Sequence, residues 1–260
     1  MSLVEIQWLF LPFTVTLLTG ILCPAMGTVL ITHKRLLQVN LISHCVLPGV
    51  AIAIATGVDS AIGGAISGLV GAILAEKLTN KNNKNYESIM NTILAGSLGL
   101  GALLINKLGI IQNIESILFG DPLAAGSIQL LRTLIAFTTF IYLMIWGYKK
   151  IVHVGLDAEG AAASGIDVES LNLALGTTTA LVIVSAMSAI GVILVIALLS
   201  APSLMGLTDA PSLKVAMIRS SAYGLIISII GWIIAVNFDL SVGPIIGLVC
   251  VGTLLIRSKR

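Results

Sequence analysis

The sequence predicts an all-α fold, a polytopic bundle of membrane-spanning helices. Hydrophobic residues make up 57% of the 260 residues and charged residues only 10%, whereas an average soluble domain carries about 25% charged residues. The apolar residues form continuous runs, as in residues 183–199, and do not alternate with polar residues as strands of a membrane barrel do. Because backbone groups in lipid must pair internally, these runs are expected to be helices.

Nine apolar segments are long enough to be candidate spans, since a spanning helix takes roughly 20 residues. They cover residues 8–32, 40–58, 60–79, 88–106, 126–148, 171–187, 189–206, 214–236 and 241–257. The pair within residues 171–206 is short for two full spans, so we predict eight or nine. The first segment lacks a basic start and an obvious cleavage site, which favours a retained helix over a signal peptide.

The connecting segments are short and give the expected orientation. Basic residues, which favour cytoplasmic loops, follow alternate segments: Lys34, Arg35, Lys77, Lys81, Lys84, Lys149, Lys150, Arg257, Lys259 and Arg260. Lys107 is the exception. This pattern predicts an outer N-terminus and an inner C-terminus. The longest polar stretches, residues 80–87 and 153–169, are too short for a soluble domain, so we expect one membrane domain over residues 1–260.

Several function classes find no support in the sequence. The net charge is only +2, and without a basic tract no nucleic-acid partner is expected. No P-loop, HExxH or GxSxG element is present, so we expect no enzyme activity in this chain. Cys23, Cys45 and Cys250 share no metal-type spacing and are interpreted as core residues.

A polar cluster in the second segment is the candidate metal site. Asn40 and His44 are spaced i,i+4 and therefore share one helix face. Imidazole nitrogen is the commonest protein ligand for metals such as Mn²⁺ and Zn²⁺, and an amide oxygen adds a hard ligand. Pro48 lies four residues beyond His44 and removes a helical hydrogen bond nearby. A histidine that merely bonds a neighbouring helix is the competing interpretation.

Other polar and small residues are given structural roles. His33 and His153 fall in predicted cytoplasmic loops, where we expect solvated surface positions. Gly64, Gly68 and Gly71 lie near one face of the third segment and predict close helix packing.

The connection at residues 157–165 is the second candidate feature. Asp157 is predicted to cap a short helix, Glu159 lies in its first turn, where the helix dipole favours a carboxylate, and Gly165 is predicted to end it. Such a helix could dock in a partner or be an ordinary amphipathic connector.

With these residues in view, the sequence resembles the zinc/manganese/iron class of ABC-type permeases. The resemblance covers nearly the whole chain and rests on residues 44–51, 118–121, 157–165 and 191–202. It implies a type II-like importer fold, a homodimer, a separate ATP-binding cassette ATPase and an extracytoplasmic metal-binding protein. It also implies a multi-pass location in the bacterial plasma membrane and no tightly bound cofactor, with Mn²⁺ or Zn²⁺ as the transported ion.

The resemblance also assigns residue roles. In the family, a loop with the pattern of Asp157, Glu159, Ala161 and Gly165 docks into the ATPase. Its Gly-Asp before the histidine is Val39-Asn40 here, so His44 carries over as a pathway ligand and Asn40 only as a neutral oxygen donor. A second departure is Ser241 after Asp239-Leu240, where the family commonly has proline. Ser43, with residues 47–49, resembles the manganese-type members.

Three alternatives stay open at this stage. A secondary, ion-coupled metal transporter would work without an ATPase, but no Asp or Glu falls in the middle of a predicted span. An ABC permease for a chelated metal would not depend on His44. An intramembrane enzyme lacks a visible catalytic constellation.

Overall fold

The computed structural model describes residues 3–82, 86–109, 122–238 and 240–258, and within these ranges the chain is helical with no strand. In the described part of the chain, a 3-10 turn covers Pro122–Ala124. The α-helices there are α1 (Leu3–Thr32), α2 (Leu36–Thr56), α3 (Ser60–Asn82), α4 (Tyr86–Leu108), α5 (Ser127–Leu156), α6 (Ala158–Ala163), α7 (Val168–Ile190), α8 (Val192–Leu207), α9 (Leu213–Phe238) and α10 (Val242–Ser258).

The predicted helical bundle is confirmed, and all nine predicted segments fall on helices. Among the described residues, 7 helices are long and apolar enough to cross a membrane, and α8 and α10 are shorter apolar helices. The ambiguous pair is therefore one full-length helix, α7, followed by the partial helix α8. Gly191 separates them with φ 83° and ψ 159°, a backbone conformation that is essentially restricted to glycine.

The chain groups into two compact units, described here separately. Unit 1 comprises residues 1–31, 115–137 and 185–260, and unit 2 comprises residues 32–114 and 138–184.

In unit 1, α1 packs closely against α8 and α9. A methyl group added to Gly27 would lie 1.9 Å from the Leu199 carbonyl oxygen, so only glycine permits this approach. Hydroxyl groups bridge the same helices: Thr28 and Ser220 form a 2.7 Å hydrogen bond, and Ser203 donates to the Pro24 carbonyl at 2.8 Å. In lipid, such small residues and interhelical hydrogen bonds replace the hydrophobic drive of a soluble core.

In unit 2, α2 packs against α3 and α4. The predicted packing role of Gly64, Gly68 and Gly71 is confirmed, because added methyl groups there would lie within 3.2 Å of Val46 or Cys45 side-chain atoms. Methyl groups at Gly96 and Gly99 of α4 would meet no other described atom within 4 Å. The three cysteines are buried and free, as predicted for core residues.

Candidate functional site

Helix α2 carries both predicted metal-site residues on one partly exposed face. Asn40 and His44 are half-buried and one helical turn apart, while the intervening Leu41 and Ile42 are fully buried. The Nδ1 atom of His44 is buried and has no hydrogen-bond partner among the described residues. The arrangement leaves a ring nitrogen and an amide on the same face, which are donors suited to a divalent metal ion.

The helical hydrogen bonding of α2 is modified just beyond His44, as the presence of Pro48 predicted. Pro48 has no N–H to offer the His44 carbonyl. At the next backbone hydrogen bond along the helix, the Ser67 hydroxyl of α3 accepts from the Gly49 N–H at 3.3 Å and donates to the Cys45 carbonyl. Since a regular helix would pair Gly49 with Cys45 directly, a side chain of α3 is inserted at this point, which is a common cause of helix bending.

Buried amides on α2 and α7 were not predicted from the sequence. Gln38 is 0% exposed and both of its amide atoms lack a partner within the described chain. Asn172 of α7 is also buried, with an unpaired Oδ1, and Ser43 has an unpaired hydroxyl. Buried polar groups normally have partners, so the unpaired side chains of Gln38 and Ser43 distinguish the first half of α2. The available signal was a glutamine placed between apolar residues at the beginning of a span.

An ion pair between the half-buried Arg35 and the buried Glu76 fixes the residue before α2. The Arg35 guanidinium donates to both carboxylate oxygens of Glu76 on α3, at 2.7 and 3.1 Å. It also lies 5.7 Å from the ring centroid of Tyr86, where α4 begins. The bidentate geometry is the strong form of this interaction. Arg35 precedes the start of α2 and Glu76 lies toward the end of α3, so Glu76 does not contradict the prediction that acidic residues occur at span ends.

The expectation that His33 is a solvated surface residue is wrong. The ring packs against Gly155 near the end of α5 and hydrogen-bonds the Ile151 backbone, and its Nε2 is buried. Burial and the neighbouring Arg35 charge lower the pKa of His33 from 6.5 to about 4. The imidazole is therefore neutral at physiological pH. His153, by contrast, is exposed as expected.

The predicted short helix at residues 157–165 is confirmed. Asp157 caps α6 by accepting from the Gly160 N–H at 3.0 Å. Gly165 ends it with φ 86°. The Gly165 N–H donates to the Ala162 carbonyl at 3.0 Å, and the Ile166 N–H donates to the Ala161 carbonyl at 3.1 Å. This is the Schellman pattern of a helix C-terminus.

The loop presents small side chains to its surroundings. Glu159 is exposed on the first turn, and Ala161 is completely buried. Ala162, Ala163 and Gly165 are exposed. Capped at both ends, α6 is a rigid short element with a small-residue outer face.

Two of the motifs noted in the sequence lie outside the described residues, namely residues 118–121 and Asp239. Within the described ranges, no group of three or more His, Cys, Asp or Glu residues is arranged to hold a metal ion.

Comparison with known proteins places these features in a family. The ABC 3 transport family matches residues 5–259. The chain belongs to the ABC 3 transport family. Together with the long apolar helices, this membership identifies an integral, multi-pass membrane protein and confirms the resemblance noted from the sequence.

Two relatives and one solved structure are similar to this chain over most of their own length. The manganese transport system membrane protein MntC of Halalkalibacterium halodurans is 29% identical over 249 residues, 95% of this chain and 85% of that protein. The chelated iron transport system membrane protein YfeD of Yersinia pestis is 28% identical over 232 residues, 88% of this chain and 77% of that protein. In the solved structure of PsaBC from Streptococcus pneumoniae in complex with Fab, one chain aligns with a TM-score of 0.83 at 28% identity, covering 96% of this chain and 90% of that chain.

Proposed function

We propose that this chain is the membrane permease subunit of an ATP-driven importer of divalent metal ions, with Mn²⁺ favoured over Zn²⁺. The observation that carries the proposal is the unpaired ring nitrogen of His44 beside Asn40 on a partly exposed face of α2. It occurs in a family whose similar members include proteins named for manganese transport.

The chemistry of the site suits passage of an ion better than its storage. Imidazole and amide groups are neutral ligands, and Asn40 and His44 supply one of each. Since Mn²⁺ accepts nitrogen and oxygen donors, an ion at this face would be held weakly enough to leave. In the proposed homodimer, a second copy of the chain contributes the same pair.

The energy for transport comes from a separate ATPase chain in this proposal. The capped helix α6 is the docking element, because its exposed outer face consists of small residues that fit a partner's groove. An extracytoplasmic metal-binding protein delivers the ion to the outer mouth. ATP binding and hydrolysis then move the loop at residues 157–165 and reorient the spanning helices.

The test is reconstitution of the chain with its ATPase and binding protein in liposomes, followed by ATP-dependent uptake of Mn²⁺, Zn²⁺ and Fe²⁺. We expect His44→Ala to reduce Mn²⁺ uptake by about tenfold or more, a typical loss when a metal site is disturbed. His153→Ala is the matched control, because His153 is exposed, and its uptake should equal that of the wild type. Unchanged uptake in His44→Ala would contradict the ligand role.

The same assay separates the alternatives. Asn40→Asp restores the acidic residue of the family pattern and should lower the Mn²⁺ concentration for half-maximal uptake by about tenfold, equivalent to roughly 1.4 kcal/mol. Uptake without the ATPase would indicate a secondary transporter. The YfeD relative motivates a second candidate, a chelated-iron permease. That candidate would transport an iron chelate regardless of His44.

A further inference from the structure

The helices on either side of the loop at residues 157–165 contact the segment that leads into α2: α5 contacts His33 in the turn before α2, and α7 contacts Gln38 in its first turn. Helix α5 ends at Leu156, immediately before the Asp157 cap, and α7 begins at Val168, just after the loop. The residues that make these contacts, His33, Gln38, Gly155 and Gly176, all lie in unit 2. The candidate docking loop and the candidate metal-site helix are thus joined by two short physical connections.

The first connection is His33. Its ring lies against Gly155, where an added methyl group would be 3.2 Å from Nε2 and 3.4 Å from Cδ2. The same ring hydrogen-bonds the Ile151 backbone one turn earlier. The turn from His33 to α2 is short and fixed, since Lys34 has φ 57° and Arg35 is held by Glu76. A displacement at Gly155 therefore acts on the start of α2.

The second connection is Gln38, in the first turn of α2. A methyl group added to Gly176 of α7 would lie 2.7 Å from the Gln38 Nε2, so this fully buried amide is seated directly on the glycine. Asn40 follows two residues later on the same rigid helix, and His44 one turn beyond it. A displacement of α7 at Gly176 would act on Gln38 and pass along the same helix to Asn40 and His44, two and six residues further on.

We propose that His33 and Gln38 are positioning residues that transmit movement of the loop at residues 157–165 to Asn40 and His44. The inference rests on the proposed function for its physiological meaning. In physical terms, α5 holds the turn before α2 through His33–Gly155, and α7 holds α2 itself through Gln38–Gly176. When the ATPase moves the loop, these contacts turn α2 with it, and the metal-site face changes its access.

The first measurement is the number of Mn²⁺ ions transported per ATP hydrolysed by the reconstituted complex. His33→Ala and Gln38→Ala should lower this ratio by roughly 2- to 30-fold, the range found for mutations between coupled sites, while ATP hydrolysis continues. His33→Gln, which retains an N–H donor, should recover part of the ratio. The matched controls, His153→Ala and Gly96→Ala, should leave it unchanged.

The second measurement reads the movement itself and requires no metal. Asn40→Cys is labelled with a membrane-permeant thiol reagent, with and without ATP, in the assembled complex. The three native cysteines are buried, and the unsubstituted chain gives the background. ATP should change the labelling rate, and His33→Ala or Gln38→Ala in the same chain should remove that change.

The two measurements distinguish a failure of the proposed transport function from a failure of the coupling inference. If ATP alters the labelling of Asn40→Cys through His33 and Gln38 but no Mn²⁺ is transported, the proposed function fails and the coupling stands. If ATP-driven Mn²⁺ uptake occurs and both variants keep the wild-type ratio and labelling change, the coupling inference is overturned. Equal losses of hydrolysis and uptake in both variants, as misassembly produces, also overturn it.

Discussion

The two units of the chain treat their buried polar groups differently. In unit 1, Thr28, Ser203 and Ser220 satisfy one another or the backbone of a neighbouring helix, and Ser228 is the one buried hydroxyl without a partner in its described part. In unit 2, the unpaired atoms include those of Gln38, Ser43, His44 and Asn172, and a charged pair is buried as well.

This difference corresponds to two roles that buried polar side chains have in membrane proteins. Paired hydroxyls add interhelical bonds, and with the close glycine contacts they fix the helices against one another. Unpaired amides and an imidazole are costly to bury, and polar residues at membrane depth are functional candidates for that reason. The comparison favours a packing role for the polar residues of unit 1 and marks those around α2 as candidates for a functional role.

The largest expected effect comes from removing the charge that holds α2 in unit 2. Arg35→Met keeps most of the side-chain volume but leaves Glu76, which is 1% exposed, without its partner. Breaking a buried pair in this way costs about 3–5 kcal/mol. We expect a marked fall in thermal stability of the detergent-solubilised protein, measured by the loss of the folded monodisperse peak on heating.

The double variant Arg35→Met with Glu76→Leu is its control. Because apolar replacement of both partners is often near neutral, most of the lost stability should return. If the single and double variants are equally unstable, the charge imbalance is not the cause and packing around Tyr86 becomes the better explanation.

The second-largest loss of stability is expected from a change in the helix packing of unit 1. Gly27→Ala forces a methyl group against the Leu199 carbonyl, which is backbone and cannot rotate away. Overpacking of this kind costs typically up to about 3 kcal/mol. The same substitution at Gly96, where nothing lies within 4 Å, should raise the melting temperature by a few degrees at most, because alanine is favoured over glycine in a helix interior by about 1 kcal/mol. Equal stability of the two variants would remove the distinction between a tight and an open glycine.

Features that depend on residues close together in the sequence were predicted correctly. The helices were predictable because apolar run length and backbone pairing in lipid are local properties. The cap at Asp157 and the end at Gly165 were predictable for the same reason, since each depends on atoms three to five residues away. The division at Gly191 stayed ambiguous because composition alone does not reveal a positive φ.

Contacts between distant segments could not be predicted in this way. Arg35 and Glu76 are 41 positions apart, and nothing in either segment identifies the other as its partner. His33 was assigned to solvent because it lies in a basic loop, but the approach of Gly155 buries it. The contact of Gln38 with Gly176 was missed likewise, although the position of Asn40 and His44 on one face of α2 was predicted from their spacing alone.

The smallest effect is a pH dependence that should belong to unit 2. His33 has its pKa lowered from 6.5 to about 4 in the folded chain. As the pH falls below about 6.5, the unfolded chain takes up a proton there that the folded chain refuses until about pH 4. The stability contributed by neutral His33 is therefore complete above the unfolded pKa and decreases as the pH falls, by up to about 1.4 kcal/mol per pH unit.

Melting curves of the purified protein at pH 7 and pH 5 measure this effect. His33→Gln keeps a polar side chain but does not titrate, so its melting temperature should fall less between the two pH values than that of the wild type. His153→Gln is the matched control and should keep the wild-type dependence, because that imidazole is exposed. If His33→Gln and the wild type show the same pH dependence, the acid sensitivity arises elsewhere, and the burial of His33 against Gly155 would have to be weaker than the structure indicates.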